Sequence, residues 1–371
     1  AARGEGTAVN PLKALWLSPW MRPLARVQAE ALRRGGVDVL LVTTDHHHPE
    51  ADAARDYELV LDPRFRTAAT WPAYLAAWRR VREFRADVVI AELVNDPRWI
   101  ALAGLAPRVQ LVHDDNPKDA LEQRPAYERA VFDRWGARST ATVAYSQHVA
   151  AAIATRRDVA GTPVHVLPLS SDLATDLVPR FVDPEGRRDF VMIGRLNPYK
   201  NLEVVLQAWR QHTAGPAWRG DELVLVGDGA VDIGALPAHT RWRAGKYRYV
   251  DVAPTLARAK GSIVHYRRAS QSGVQVVSMQ LGVMPIVSTA GGLPEFQPPG
   301  RPPVGVDDVD GLAAAFDALA DPLSATLRGA EAKRHFAQRF AVDRCADGLL
   351  NVITEALQRS ARVPAVTGTT R

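Results

Sequence analysis

Cysteine is almost absent from this chain, with one residue, Cys345, in 371. That excludes a disulfide framework and any cysteine-based zinc site, and it fits a reducing compartment. Long apolar runs are missing too; none approaches the roughly 20 residues that span a bilayer. The opening residues, AARGEGTAVNP, carry no apolar stretch of the kind a secretory leader needs, so the expectation is a cytoplasmic protein. Nor is charge of one sign concentrated anywhere. The 46 Lys and Arg stand against 41 Asp and Glu, and the surplus is spread as Arg pairs with acids between them. With no basic tail and no nucleic-acid motif, nucleic acid is set aside as a partner. The mild basic balance suits a phosphate-bearing substrate and leaves room for a peripheral contact with an anionic membrane.

Aromatic residues make up only 7% of the chain, and six of the nine tryptophans (Trp16, Trp20, Trp71, Trp78, Trp99, Trp135) fall in the first half. Tryptophans stack on sugars and apolar acceptors, and equally well pack in cores. Trp20, in the loop SPWMRP after the first strand-like run, is the one placed to meet an acceptor. The run His46-His47-His48 looks metal-binding, but consecutive loop positions do not converge on one ion as i and i+4 helix positions do. No metal and no cofactor are expected.

What the chain does have is alternation. Strand-length apolar runs (14–18, 37–43, 86–93, 108–114, 141–146, 164–168) are separated by helical patterns, the first being PLARVQAEALRRGG, with Pro at its start and Gly at its end. Residues 179–188 break the rhythm with Pro, Gly and charge. A second series follows at 189–195, 222–229, 261–266 and 284–289. The pattern predicts an α/β protein of two Rossmann-like, doubly wound parallel-sheet domains facing across a cleft. The first would span residues 1–178, the linker 179–188 and the second 189–340. Residues 341–371 would form a closing helix that packs back on the first domain, and a tail.

The chemistry gathers at the strand ends of the second series. In VMIGRLNPYKNLE a strand ends at Gly194, whose missing side chain lets the backbone turn closely past a ligand. Arg195 and Lys200 follow; a planar fork of donors and a movable point charge together suit a diphosphate. Two solvated loop charges are the plainer alternative. VGDG with Gly227, the SQSG run of Ser270, Gln271, Ser272 and Gly273, and STAGGLPE with Gly291 and Gly292 sit at later strand ends. Glycine-rich turns before helix N-termini offer N–H groups to phosphate oxygens. In the first half, VQLVHDD brings His113, Asp114 and Asp115 to a strand end, where the two acids either contact an acceptor or cap the next helix.

In this order and spacing, GRLNPYKNLE, LVGDG, ARAKGSIVHYRRASQSG and GVMPIVSTAGGLPE resemble the family 4 glycosyltransferases, retaining enzymes of the GT-B fold. The resemblance implies transfer of a sugar from a nucleotide diphosphate to a small-molecule or glycan acceptor held by the first domain. It also implies that Arg195 and Lys200 neutralise the diphosphate, that Gly291 and Gly292 approach it through backbone, and that His113 lies near the donor sugar. One departure is large. The family carries two Glu separated by seven residues, and this chain has Ser270 and Ser278 at those places. Gln271, Gln275 and Ser278, spaced four and three apart on one helix face, would offer uncharged partners to ribose hydroxyls. The alternative is a non-catalytic or regulatory protein that binds a nucleotide sugar without turnover; an epimerase or phosphorylase is a third reading.

Overall fold

A computed structural model of the protein describes residues 10–44, 53–64, 67–94, 96–115, 126–229 and 234–362. The histidine run at 46–48 and the tail beyond 362 lie outside them. Seven strands form the first sheet: β1 Lys13–Ser18, β2 Asp38–Thr44, β3 Glu58–Leu61, β4 Val88–Glu92, β5 Arg108–Val112, β6 Ala141–Ala144 and β7 Val164–Val166. Five form the second: β8 Phe190–Ile193, β9 Leu223–Val226, β10 Thr240–Arg243, β11 Gly261–Val264 and β12 Pro285–Val287. Every pairing is parallel, in the orders β3-β2-β1-β4-β5-β6-β7 and β10-β9-β8-β11-β12. The central strands read as unbroken apolar runs because helices cover both faces of a parallel sheet.

Those helices are α1 Arg22–Arg34, α2 Trp71–Phe84, α3 Pro97–Ala103, α4 Ala126–Gly136, α5 Gln147–Ile153, α6 Leu202–Ala214, α7 Tyr249–Ala257, α8 Gly273–Gln280, α9 Val309–Ala320, α10 Pro322–Arg339 and α11 Val342–Arg362. The helical pattern read at about 324–358 is thus two helices, broken at Phe340, whose ring is buried and stacks on Phe296 at 5.2 Å. Helix α11 returns to the first sheet's side, where Asp343 pairs with Arg34 of α1 at 2.6 Å.

Two strands, β3 and β10, are additional to the runs read from sequence, and both are sheet edges. In β10, TRWR, every second residue is exposed, so the apolar run that marks a central strand is missing. Arg187, within the expected linker, is not a free surface charge. It is buried and donates to the carbonyls of Ala257 (3.0 Å), Ala259 (2.9 Å) and Gly282 (2.8 Å), tying the entry of β8 to two later turns.

The strand orders position the site. Chain direction across the sheet reverses between β1 and β4 in the first sheet and between β8 and β11 in the second, and ligands bind at such switch points, outside the carboxyl ends of the strands. The ends of β1, β4 and β5 carry Trp20, Glu92 and His113; those of β8 and β11 carry Arg195 and Ser270.

Candidate functional site

In the second half, the cradle is built from backbone that no side chain could fit. Gly194 has φ +116° and Gly227 φ +129°, both in the region that favours glycine. A Cβ on Gly227 would run into the Gly194 carbonyl, and one on Gly229 into the Leu196 carbonyl, so the ends of β8 and β9 touch main chain to main chain. Likewise Gly291, at φ +52°, and Gly292 lie against the carbonyls of Ala269 and Ser270. Their glycines are required by this close packing, whatever else they approach. Gly273 differs: a Cβ there would meet nothing within 4 Å, so the first turn of α8 opens on empty space.

Arg195 and Lys200 do not form the matched pair of loop charges that the sequence suggests. Arg195 is exposed, with no ion pair among the described residues. Lys200 is 3% exposed in a short 3-10 turn, its Nζ 2.6 Å from the Tyr266 hydroxyl and 3.2 Å from the Ile193 carbonyl, over the face of the Tyr266 ring. Tyr266 in turn stands 3.4 Å from the Ser272 hydroxyl at the entry to α8.

The expected single face of Gln271, Gln275 and Ser278 does not arise, because α8 begins at 273 and Gln271 precedes it. Gln275 and Ser278 are fully buried. Ser278 donates to the Val274 carbonyl one turn back at 2.7 Å, and Gln275 Nε2 donates to the Leu293 carbonyl (3.1 Å) and Gln297 Oε1 (3.2 Å). The amide oxygens of Gln271 and Gln275 are buried without a hydrogen-bond partner among the described residues.

In the first half, His113 is buried at the end of β5, with Nε2 2.5 Å from Glu92 Oε1. Glu92, itself fully buried, also accepts from Trp16 Nε1 at 3.3 Å. Tyr145 packs on the imidazole with ring centroids 4.7 Å apart. Burial, and then the charge of Glu92, push the Tyr145 hydroxyl well above the usual range, so it stays neutral. Glu92 escapes the reading of the sequence, although a charged residue closing the run VVIAE is a signal available there. Trp20 lies apart from this cluster, lining a pocket of about 640 Å³ with Arg22, Arg26, Asp172, Arg248 and Tyr249. Beneath it, Arg22 and Arg26 hold buried Glu58 at 2.8 and 2.6 Å.

The two halves meet at Ser270. Its hydroxyl donates to Asp115 Oδ1 at 2.6 Å, and its carbonyl accepts from Ser146 Oγ at 3.1 Å. His148 Nε2 is 3.8 Å from the other Asp115 oxygen. One turn away, the Glu295 carboxylate accepts the N–H groups of Gln147 (2.7 Å) and His148 (2.8 Å) at the start of α5. The carbonyls of Asp114 and Asp115 accept from Arg156 at 2.9 and 3.1 Å, and residues 116–125, where a helix capped by either acid would begin, lie outside the described residues. The roles of Ser146, His148 and Glu295 carry no sequence signal, since what joins them to their partners are contacts between residues 124 to 148 apart.

Two facing Rossmann-like sheets with a cleft between their carboxyl edges are the GT-B architecture. The model of Glycosyltransferase Family 4 matches residues 24–174, and that of glycosyl transferases group 1 matches residues 187–321. The chain therefore belongs to the family 4 glycosyltransferases, retaining enzymes that use nucleotide-sugar donors. In fold it is similar to sucrose-phosphate synthase from Thermosynechococcus elongatus (16% identity, TM-score 0.69), covering 94% of this chain and all of that one. It is similar also to Anabaena HepE in complex with UDP and glucose (14%, 0.62; 93% of this chain, 100% of that one). A third is the E. coli trehalose-6-phosphate protein bound with UDP-2-fluoro glucose (10%, 0.66; 93% and 99%). No curated protein matches the sequence. Among the described residues no group of His, Cys, Asp or Glu is arranged to hold a metal ion, and no helix is long and apolar enough to cross a membrane.

Proposed function

We propose that the donor's diphosphate sits between Arg195 and the open first turn of α8, with the acceptor entering from the first half through the pocket that Trp20 lines and reaching toward Asp114 and His113. The observation that carries this is the exposed Arg195, without an ion pair among the described residues, at the switch point of the second sheet and beside glycines that admit no side chain. A guanidinium aimed at a phosphate in a partly dehydrated cleft stabilises the charge that develops as the leaving group departs. Lys200, buried against Ile193 and Tyr266, contributes positive potential from behind, while Gly194, Gly227, Ser272 and Gly273 line the path. Gly291 and Gly292 would bring backbone close to the sugar.

Ser270 and Ser278 stand where the family's two Glu would be. At the first, Asp115 is bonded to Ser270 from the opposite half, so a carboxylate is present at this point of the cleft from a different strand end. In this reading Asp115 stabilises the positive charge developing at the anomeric carbon, and the departing phosphate takes the acceptor's proton, so that no enzyme nucleophile is needed. The site is thus rebuilt for turnover, which favours an enzyme over a donor-binding protein without activity. Gln271, with a buried amide oxygen left without a partner among the described residues, takes a ribose hydroxyl in place of the second Glu; Gln275, held by Leu293 and Gln297, supports the turn instead.

The test is a panel of nucleotide-diphosphate sugars with and without candidate sugar and lipid-linked acceptors. Acceptor-dependent nucleotide release, abolished in Arg195→Ala, is expected. Saturable binding with no release under any acceptor would favour the non-catalytic reading.

A further inference from the structure

Helix α2 carries large apolar side chains on its buried face and again on the exposed flank beside it. Tyr74, Ala77 and Val81 enter the core beneath the first sheet. On the flank Trp71 and Leu75 are 43% and 48% exposed, with Trp78 half-buried beyond them. Positions 71, 75, 78 and 82 follow helical spacing, so Trp71, Leu75 and Arg82 form one exposed stripe, apolar at one end and cationic at the other, with Trp78 packed on the core at its edge. Arg79 and Arg80 continue round the exposed side of the helix, Arg85 stands just past its end in the left-handed region, and all four arginines are exposed. Against them the helix has a single acid, Glu83. None of the four is in an ion pair among the described residues, whereas Arg22, Arg26, Arg98, Arg156 and Arg301 each hold a carboxylate. Arg82 instead lies over the Trp78 ring at 4.8 Å.

We propose that this face of α2 seats the protein on a membrane surface rich in anionic lipid. Tryptophan and leucine insert at the headgroup level while arginine stems lie along apolar surface and keep their charge in the phosphate layer. A protein partner fits less well: three apolar side chains on one helix fall far short of the roughly 20–30 residues a side of a stable interface. Because α2 runs back from β3 to β4, its Trp71 end lies at the carboxyl edge of the first sheet, the edge that faces the cleft. A seated protein would therefore present its cleft to acceptors held at the lipid surface. The proposal does not depend on the donor-site assignment.

The experiment is co-sedimentation of the full chain with phosphatidylcholine vesicles and with vesicles in which about a third of the lipid is phosphatidylglycerol. At roughly five-fold per arginine near the surface, anionic vesicles should bind about 100-fold more tightly, and Arg79→Gln/Arg80→Gln/Arg82→Gln should remove that gain. Trp71→Ala/Leu75→Gln should release the protein from anionic vesicles as well. Thermal melts should match the native protein, since these side chains are exposed; if the double variant melts early, Leu75→Gln alone takes its place. Equal binding to both vesicles, binding to neither, or binding that survives the triple substitution would overturn the proposal. So would a concentration-dependent dimer that Leu75→Gln dissolves, which would make the face a contact between copies.

Discussion

The two halves of the cleft are built by different means. The second half shapes its side with main chain: Gly194, Gly227, Gly291 and Gly292 sit where a Cβ would strike a carbonyl or a buried lysine, and Arg195 is exposed there without an ion pair among the described residues. The first half uses side chains that hold one another, Glu92 on His113 and Trp16, Arg22 and Arg26 on Glu58, Asp115 on Ser270. A surface of backbone tolerates few substitutions but keeps its shape alone. A surface of paired side chains can bring a charge in from another strand end, and in the proposed site Asp115 does so beside Ser270.

The sharpest way to break that contrast is Ser270→Glu. In the proposed alignment this restores a carboxylate, but here it sets one against Asp115, and two carboxylates in contact cannot both ionise freely. A fall of roughly 10²- to 10³-fold in kcat/KM, about 3–4 kcal/mol, is expected, on the scale of removing one electrostatic interaction with the transition state. Asp115→Asn in the same chain should recover part of it. A Ser270→Glu variant as active as the native protein would show that Asp115 has no such role.

Next in size is the response to acid, which belongs to the first half. Burial alone would raise the carboxyl of Glu58, but hydrogen bonds from Arg26, Arg22 and Thr43 outweigh it and hold the group at about 2. A depressed folded value means stability that is fully present above the ordinary carboxylate range near 4.5 and is lost as the pH falls toward 2. The contribution is roughly 3 kcal/mol. Urea unfolding at pH 6 and pH 3 should show the native protein losing more than Glu58→Gln does. Identical losses in both would mean that the Arg22 and Arg26 contacts give Glu58 no depressed value.

The same contrast explains what can be read without a structure. Strands buried on both faces and glycines at strand ends are local signals, so the fold class and the positions of Gly194, Gly227 and Gly291 are legible in the sequence. The edge strand β10 is not, because its alternation of exposed and half-buried residues matches no apolar run. The partners of Ser270 are out of reach for another reason: Asp115 and Ser146 lie 155 and 124 residues away, and no periodicity encodes a contact across two domains. Lys200 reads as a loop charge because its neighbours in sequence are polar, while the ring that covers it, Tyr266, arrives from the end of β11.

Arg195 and Lys200 sharpen the comparison within the second half, where a hydrogen bond to a charged group is worth about 1.5–3 kcal/mol. Arg195→Ala should weaken nucleotide-diphosphate binding by that amount and leave the melting temperature unchanged, since the side chain is exposed. Lys200→Ala should weaken binding and also lower stability, because it takes a donor away from the buried Ile193 carbonyl and Tyr266 hydroxyl. Calorimetric titration with nucleotide diphosphates beside thermal melts separates the two. Unchanged affinity in both variants would remove the donor site from this strand end.

The smallest effects fall to the two glutamines, which the sequence treats alike and the structure separates. Gln271 precedes α8 and keeps a buried amide oxygen without a partner among the described residues, whereas Gln275 is fully buried with its amide nitrogen bound to Leu293 and Gln297. A ribose hydroxyl donating to Gln271 contributes about 0.5–1.5 kcal/mol, so Gln271→Ala should weaken nucleoside diphosphate binding by up to about ten-fold with no change in melting temperature. Gln275→Ala leaves the Leu293 carbonyl and Gln297 without their donor and opens a small cavity, so it should lower stability by about 1–3 kcal/mol and leave the affinity of the folded protein close to native. Ribose-modified nucleotides complete the argument: a 2′-deoxy analogue should bind the native protein more weakly and the Gln271→Ala protein with no further loss. If the 2′-deoxy penalty survives in Gln271→Ala and disappears in Gln275→Ala, the ribose is read from inside α8 and the assignment of the two residues must be exchanged.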